Sequence, residues 1–249
     1  MIEIVYHIAF IGKWYEIAYE QLVLLQESGL GDACEKIHVS AVGEFDDRLI
    51  RLLKKFSFYY KVELRKHRSL EVYESLSLAK VKEVATLNPN AKILYFHTKG
   101  ASHGITSKWS NEQIKNLTQW RHFMDFFNIT KWRDCVTALN QADVCGVDWI
   151  QASPEEPGFF AGNYWWTTGA YIQKCKIPTQ CCKEGSRFKY ERFIGTGQPK
   201  VKNLFLSAEN YLIARYLTQE EINERTLTKY KGKIFNWIDF FYEDKFFKH

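Results

Sequence analysis

Residues 92–100 read Lys92-Ile-Leu-Tyr-Phe-His97-Thr98-Lys99-Gly100. Ile93 to Phe96 make a short apolar run with two aromatic rings, the composition of a strand covered on both faces. The switch to His-Thr-Lys-Gly comes with no intervening linker. Polar side chains therefore emerge at the carboxyl end of the strand, and Gly100 permits a tight turn or a close backbone approach to a ligand. In an open α/β sheet that edge is where ligands bind. Lys99 is a cation able to meet phosphate oxygens, and His97 can donate or accept near neutral pH. The competing reading is an ordinary strand-to-helix turn with a solvated lysine.

Upstream of this stretch, strands and helices alternate. Residues 2–9, 36–42 and 60–64 read as strands. Residues 14–27, 46–55 and 70–87 read as helices, with Ser69 as a cap and Asn88-Pro89-Asn90 as a stop. Asp46 and Asp47 suit a helix N-cap better than a metal pair. The alternation predicts an α/β fold with a mostly parallel sheet flanked by helices. Downstream the pattern is less regular. Helices are expected over 112–128 and 130–141, a strand over 143–148, an aromatic extended segment over 158–166, and short helices over 169–175, 188–194 and 207–217. Residues 1–217 read as one domain and residues 218–249 as a helical C-terminal extension. The strand ends expected to build a site are residues 8–13, 43–46, 97–102 and 148–152.

The chain has 249 residues, enough for one large domain, and 16% of them are aromatic, so a sizeable core is available. The formal charge is +5, but no block of five basic residues exists, which argues against a nucleic-acid arm. A mild positive excess suits a small phosphorylated ligand or an anionic membrane surface. Six cysteines contain no CxxC pair, which disfavours zinc and suggests reduced thiols in the cytoplasm. The N-terminus lacks the basic and continuous apolar segments of a signal peptide, and no run of about 18 apolar residues occurs. Dinucleotide, P-loop, α/β-hydrolase and zincin motifs are all missing.

Several further residues carry candidate chemistry. Gly162-Asn163 interrupts the aromatic segment of residues 159–166, as at a bulge or a backbone–ligand contact. Trp165 and Trp166 point to opposite faces of a strand, so one can be core while the other lines a pocket. Arg121, among apolar neighbours, needs a carboxylate or phosphate partner, and structural pairing is the simpler account. Asp148 at a strand end and Glu191 in Arg187-x-x-x-Glu191 are candidate acids or bases.

Taken together, the stretches Ile93-Leu-Tyr-Phe-His-Thr-Lys-Gly100, Trp120-Arg121-x-x-Met124, Lys131-Trp132 with Cys135, Asp143-Val-Cys-Gly146 and Phe159-Phe-Ala-Gly-Asn-Tyr-Trp-Trp166 (with Tyr171, Pro178 and Arg187-x-x-x-Glu191) stand in a familiar order. This order resembles a group of nucleotide-sugar glycosyltransferases with a GT-A-like fold, found in bacteria and in large DNA viruses of algae. The likeness covers residues 90–195 well and the N-terminal units loosely. The last 40 residues lie outside it. The resemblance implies transfer of a sugar from a nucleoside diphosphate such as UDP to a glycan or lipid-linked hydroxyl acceptor in polysaccharide synthesis. It places the nucleotide near His7 and Ala9 and the diphosphate near His97, Thr98, Lys99, Gly100 and Arg121. Gly162, Asn163, Trp165 and Trp166 would line the sugar and acceptor pocket. Glu191 is the first choice for general base and Asp148 the alternative. Many GT-A enzymes carry Asp-x-Asp at the end of the fourth strand. Here His97-Thr98-Lys99 stands there, so dependence on manganese or magnesium is expected to be weak or absent, and Lys99 or Arg121 would neutralise part of the leaving diphosphate's charge.

The rival readings are a glycan-binding module without chemistry and a sugar-nucleotide-forming nucleotidyltransferase. The second usually has a Gly-rich N-terminal loop with Arg and Lys, absent from residues 9–13. The tail of residues 229–249 places Ile234, Trp237, Ile238 and Phe241 on one helical face beside Lys229, Lys231 and Lys233. That face packs on the domain or seats the protein peripherally on an anionic membrane.

Overall fold

The computed structural model describes residues 1–102, 110–154, 156–176 and 189–205. Its centre is a pair of parallel strands, β1 (Ile2–Ala9) and β4 (Lys92–His97). Both are buried along their interiors, which is why both read as apolar runs. From β1 the chain passes through α1 (Trp14–Glu27) and α2 (Leu30–Ala33) to β2 (Lys36–Val42). It continues through α3 (Arg48–Leu53) to β3 (Val62–His67). After α4 (Ser75–Leu87) it returns to β4 on the other side of β1. Here the winding reverses, so the carboxyl ends of β1 and β4 lie at the switch point of a doubly wound sheet.

The second half is α5 (Asn111–Asp125), a π-helical turn (Phe126–Thr130), α6 (Trp132–Ala138), β5 (Val144–Gly146), β6 (Trp149–Ile150), β7 (Phe159–Phe160), β8 (Trp165–Thr168), α7 (Gly169–Ile172), a 3₁₀ helix (Glu191–Gly195) and β9 (Val201–Asn203). The seven-stranded sheet has the order β3-β2-β1-β4-β8-β5-β9. Only β8 runs antiparallel to its neighbours, so the expected mostly parallel sheet flanked by helices is present. β6 and β7 pair separately as a small ribbon.

Apolar cores lie on both faces of the sheet. One gathers Tyr6, Leu22, Phe96, Phe127 and Trp166; the other gathers Val5, Val81, Tyr95, Trp165 and Phe193. Trp165 and Trp166 do point to opposite faces, yet both are fully buried. The reason is that β8 is an interior strand with a covered face on either side. Trp165 stacks on Tyr95, and the Trp166 indole donates to the Asn128 carbonyl. The expectation that one of them lines a pocket is therefore corrected: both are core.

Several boundaries also shift. The third strand starts at Val62, because residues 57–61 form a 3₁₀ turn. The strand expected over 143–148 ends at Gly146, and Asp148 takes a left-handed φ of 56° between β5 and β6. The helix expected over 70–87 is broken. Ser69 caps a 3₁₀ turn (Leu70–Val72), Tyr73 takes a φ of 46°, and α4 restarts at Ser75. The helix expected over 207–217, the tail of residues 229–249, Pro178, Arg187, Cys181 and Cys182 lie outside the described residues. Among those described, no helix is long and apolar enough to cross a membrane.

Candidate functional site

A cavity of about 310 Å³ opens at the switch point. His7 and Ala9 at the end of β1 form its floor with the turn that follows β4, from His97 to Ala101. Tyr73, Glu74, Tyr190 and Glu191 also line it, with the Tyr73 and Tyr190 ring centroids 6.1 Å apart.

Backbone bonds clamp the turn to β1. The Thr98 N–H donates to the His7 carbonyl at 3.1 Å, and the Ala9 N–H donates to the Thr98 hydroxyl oxygen at 3.3 Å. Lys99 N–H reaches the His97 carbonyl at 2.7 Å, and Gly100 then takes a φ of 86°, which favours glycine. Lys99 lines the cavity, and its Nζ lies 4.8 Å from the ring of Trp120, which packs beside the turn. Trp120 and Met124 in turn pack so closely on Gly162 that a Cβ there would meet Met124 Sδ at 2.4 Å. The three stretches HTKG, WRxxM and GNYWW are thus contiguous in space.

Two histidines face the cavity, and burial dominates both. It pushes the His7 imidazole down to about 4, only partly opposed by Glu74, with His97 adding a small push the same way. It pushes His97 down to about 3, assisted by the Lys99 charge and opposed by the Gly162 carbonyl. Both rings are neutral at pH 7. Because the folded-state values lie below the ordinary 6.5, the unfolded chain binds more protons between about pH 4 and 6.5. Stability is therefore full above that window and is lost as pH falls through it. Each ring should contribute about 2 kcal/mol of that loss between pH 7 and pH 5. An NMR titration of the histidine ring protons is expected to show both neutral at pH 5; charging near pH 6 would overturn the assignment.

Glu74 is the cavity residue that sequence reasoning missed. It sits in the break between the 3₁₀ turn and α4, where no glycine or proline signals an interruption. Its Oε2 accepts from the Tyr95 hydroxyl at 2.7 Å and from the Asn163 amide. Asn163 is fully buried with a φ of 58°, and its Oδ1 accepts from the Trp165 indole N–H at 2.8 Å. Asn163 and Trp165 therefore support the cavity wall from behind.

Of the residues singled out from the sequence, His7, Ala9, His97, Thr98, Lys99, Gly100 and Glu191 line the one cavity. Gly162 does not line it, but its carbonyl lies 2.9 Å from His97 Nε2. Asp148 and Arg121 do not line it. Asp148 is buried at the end of β5, two strand spacings or about 10 Å from β4. Arg121 is buried in α5, with Nη1 2.7 Å from Glu20 Oε2 and 3.5 Å from Asp125 Oδ2. Structural pairing is its observed state. Among the described residues, no three His, Cys, Asp or Glu side chains converge as a metal-binding group.

The family model described as "Domain of unknown function (DUF8361)" matches residues 10–238. The chain belongs to this family. The cavity and all three contiguous motifs fall inside the DUF8361 match, apart from His7 and Ala9. No curated protein matches the sequence. Among solved structures, the chain is similar to 4-diphosphocytidyl-2C-methyl-D-erythritol synthase from Anaerococcus prevotii, at 12% identity and a TM-score of 0.46, covering 90% of this chain and 96% of that one. A second structure of a 4-diphosphocytidyl-2C-methyl-D-erythritol synthase is similar at 10% identity and a TM-score of 0.36, covering 88% of this chain and 94% of that one.

Proposed function

We propose that this DUF8361 protein is a glycosyltransferase, moving a sugar from a nucleoside-diphosphate sugar to a hydroxyl of a glycan or lipid-linked acceptor. The observation that carries the reading is the set of side chains at the switch point. One cation, two carboxylates and two neutral imidazoles share a cavity with the adjacent rings of Tyr73 and Tyr190. Neutral imidazoles and carboxylates suit the hydroxyls of a sugar. Lys99 suits the diphosphate, and it is the only Lys or Arg among the described residues that line the cavity.

In this reading Glu191 takes the proton of the acceptor hydroxyl as its oxygen bonds to the anomeric carbon. The bond from that carbon to the diphosphate oxygen breaks, and Lys99 stabilises the charge that develops there. Asn163 and Trp165 act from behind the wall, by holding Glu74. A peripheral membrane contact through residues 229–249 would bring the cavity to lipid-linked acceptors.

The test is a panel of nucleotide sugars incubated with the protein, with manganese or with a chelator, following nucleotide release. Slow hydrolysis of one donor is expected, and it should persist in chelator because no Asp-x-Asp follows β4. Lys99→Ala should weaken binding of the matching nucleoside diphosphate by about 1–3 kcal/mol in a calorimetric titration. Failure of every nucleotide and nucleotide sugar to bind would overturn the reading. Binding of free sugars alone would make the protein a glycan-binding module.

A further inference from the structure

His97 Nε2 lies 2.9 Å from the Gly162 carbonyl, which can only accept. The ring is therefore the tautomer with its proton on Nε2, and Nδ1 presents a lone pair. Glu74 Oε1 lies 3.9 Å from that Nδ1, too far for a hydrogen bond. Glu74 Oε2 is meanwhile occupied by the Tyr95 hydroxyl and the Asn163 amide. The Asn163 orientation is fixed as well. The Trp165 indole N–H only donates, so it must meet Oδ1, which leaves the amide nitrogen towards Glu74. Two hydrogen-bond acceptors thus stand side by side at the cavity wall, and no donor among the described residues serves the gap between them.

We infer that Glu74 Oε1 and His97 Nδ1 form a subsite for a vicinal diol of the transferred sugar. Adjacent hydroxyls, whose oxygens are about 3 Å apart, can each donate one hydrogen bond to acceptors at this spacing. A neutral imidazole is required, because a charged ring would present a donor at Nδ1. The subsite has only these two ligating atoms, so it suits a diol better than a metal ion, which takes four or more ligands. Tyr95 and Asn163 are positioning residues that spend the other carboxylate oxygen. This inference rests on the nucleotide-sugar reading and adds to it the group that recognises the sugar hydroxyls.

Glu74→Gln is the sharp test. Its carbonyl oxygen must stay where Tyr95 and Asn163 donate, so its amide turns to His97 Nδ1 and the acceptor pair satisfies itself. Calorimetry would compare the best-bound nucleotide sugar of the panel with its sugar-free nucleoside diphosphate. In the wild type, the intact sugar should bind more tightly than the nucleotide alone, and monodeoxy sugars lacking one diol hydroxyl should lose that gain. In Glu74→Gln, the gain should fall by about tenfold to a hundredfold, with nucleoside diphosphate affinity and Tm unchanged. Tyr95→Phe, which loosens the carboxylate without removing it, should show a smaller fall. An unchanged gain in Glu74→Gln, or equal binding of all deoxy sugars to the wild type, overturns the subsite while leaving the nucleotide-sugar reading intact. Absence of any nucleotide binding overturns both.

Discussion

Glu191→Gln is expected to slow sugar transfer by about 10²–10⁴-fold while nucleotide affinity stays near its wild-type value, the signature of a lost general base. Glu191 opens the 3₁₀ helix Glu191–Gly195, and that helix is tightly fixed. The Tyr171 hydroxyl donates to the Ile194 carbonyl at 2.6 Å, and Phe193 is buried near Trp165. Gly195 lies so close to the Gly158 backbone that a Cβ would stand 1.8 Å from its carbonyl oxygen. A carboxylate on such a base can be held within the narrow geometry that proton transfer needs. Single-turnover rates with the donor and acceptor pair, beside calorimetric nucleotide binding, separate the two effects. Near-normal transfer would remove Glu191 from the chemistry and leave Glu74 as the other described carboxylate in the cavity.

Arg121→Met should cost about 3–5 kcal/mol of stability, because it takes the guanidinium away from the fully buried Asp125 and the partly buried Glu20. For a chain of this length that is a fall in Tm on the order of 10 °C. Burial pushes Glu20 upward, but the His122 hydrogen bond and the Arg121 charge outweigh it and hold the carboxyl at about 2. Asp125 is fully buried, and burial pushes it up to about 7 despite Arg121 and Gln21. The raised value makes the sign clear. The native state binds an extra proton at Asp125 between about pH 4 and 7, so that contribution to stability is present at acid pH and is lost as pH rises through 7. The destabilisation by Arg121→Met should accordingly be smaller at pH 5.5 than at pH 8 in urea titrations. A loss below about 1 kcal/mol at both pH values would show that water or another donor replaces the guanidinium. The cluster also reaches the cavity. The Gln21 amide donates to Asp125 at 3.0 Å and to the Tyr164 hydroxyl at 2.7 Å, and Tyr164 in turn donates to the His97 carbonyl. Loss of Arg121 should therefore weaken ligand binding indirectly, through the turn after β4.

What was legible from residues alone followed from local rules. The apolar run of residues 93–96 gave a strand buried on both faces, and the alternation around it gave the parallel half of the sheet. The abrupt change to His97-Thr98-Lys99-Gly100 located the strand end at which the cavity opens. Asp46 and Asp47 do mark the start of α3: Asp47 is its N-cap position, and Asp46 Oδ1 accepts from the Arg48 N–H at 2.9 Å. These signals act over a few residues, where periodicity and turn chemistry decide the backbone.

Tertiary structure alone decided the rest. The antiparallel insertion of β8 between β4 and β5 buries Trp165 and Trp166 together, and no periodicity reports that both faces of a strand will be covered. Arg121 reads as structurally paired, but its partner is named only when α1 brings Glu20 to it. Glu74 reads as one more acidic helix residue, since its partner Asn163 lies 89 positions away. That pairing is made only when β8 docks beside β4. The residues that line the turn were fixed by neighbours in the chain; the partners that hold their charges were fixed by packing between elements distant in sequence.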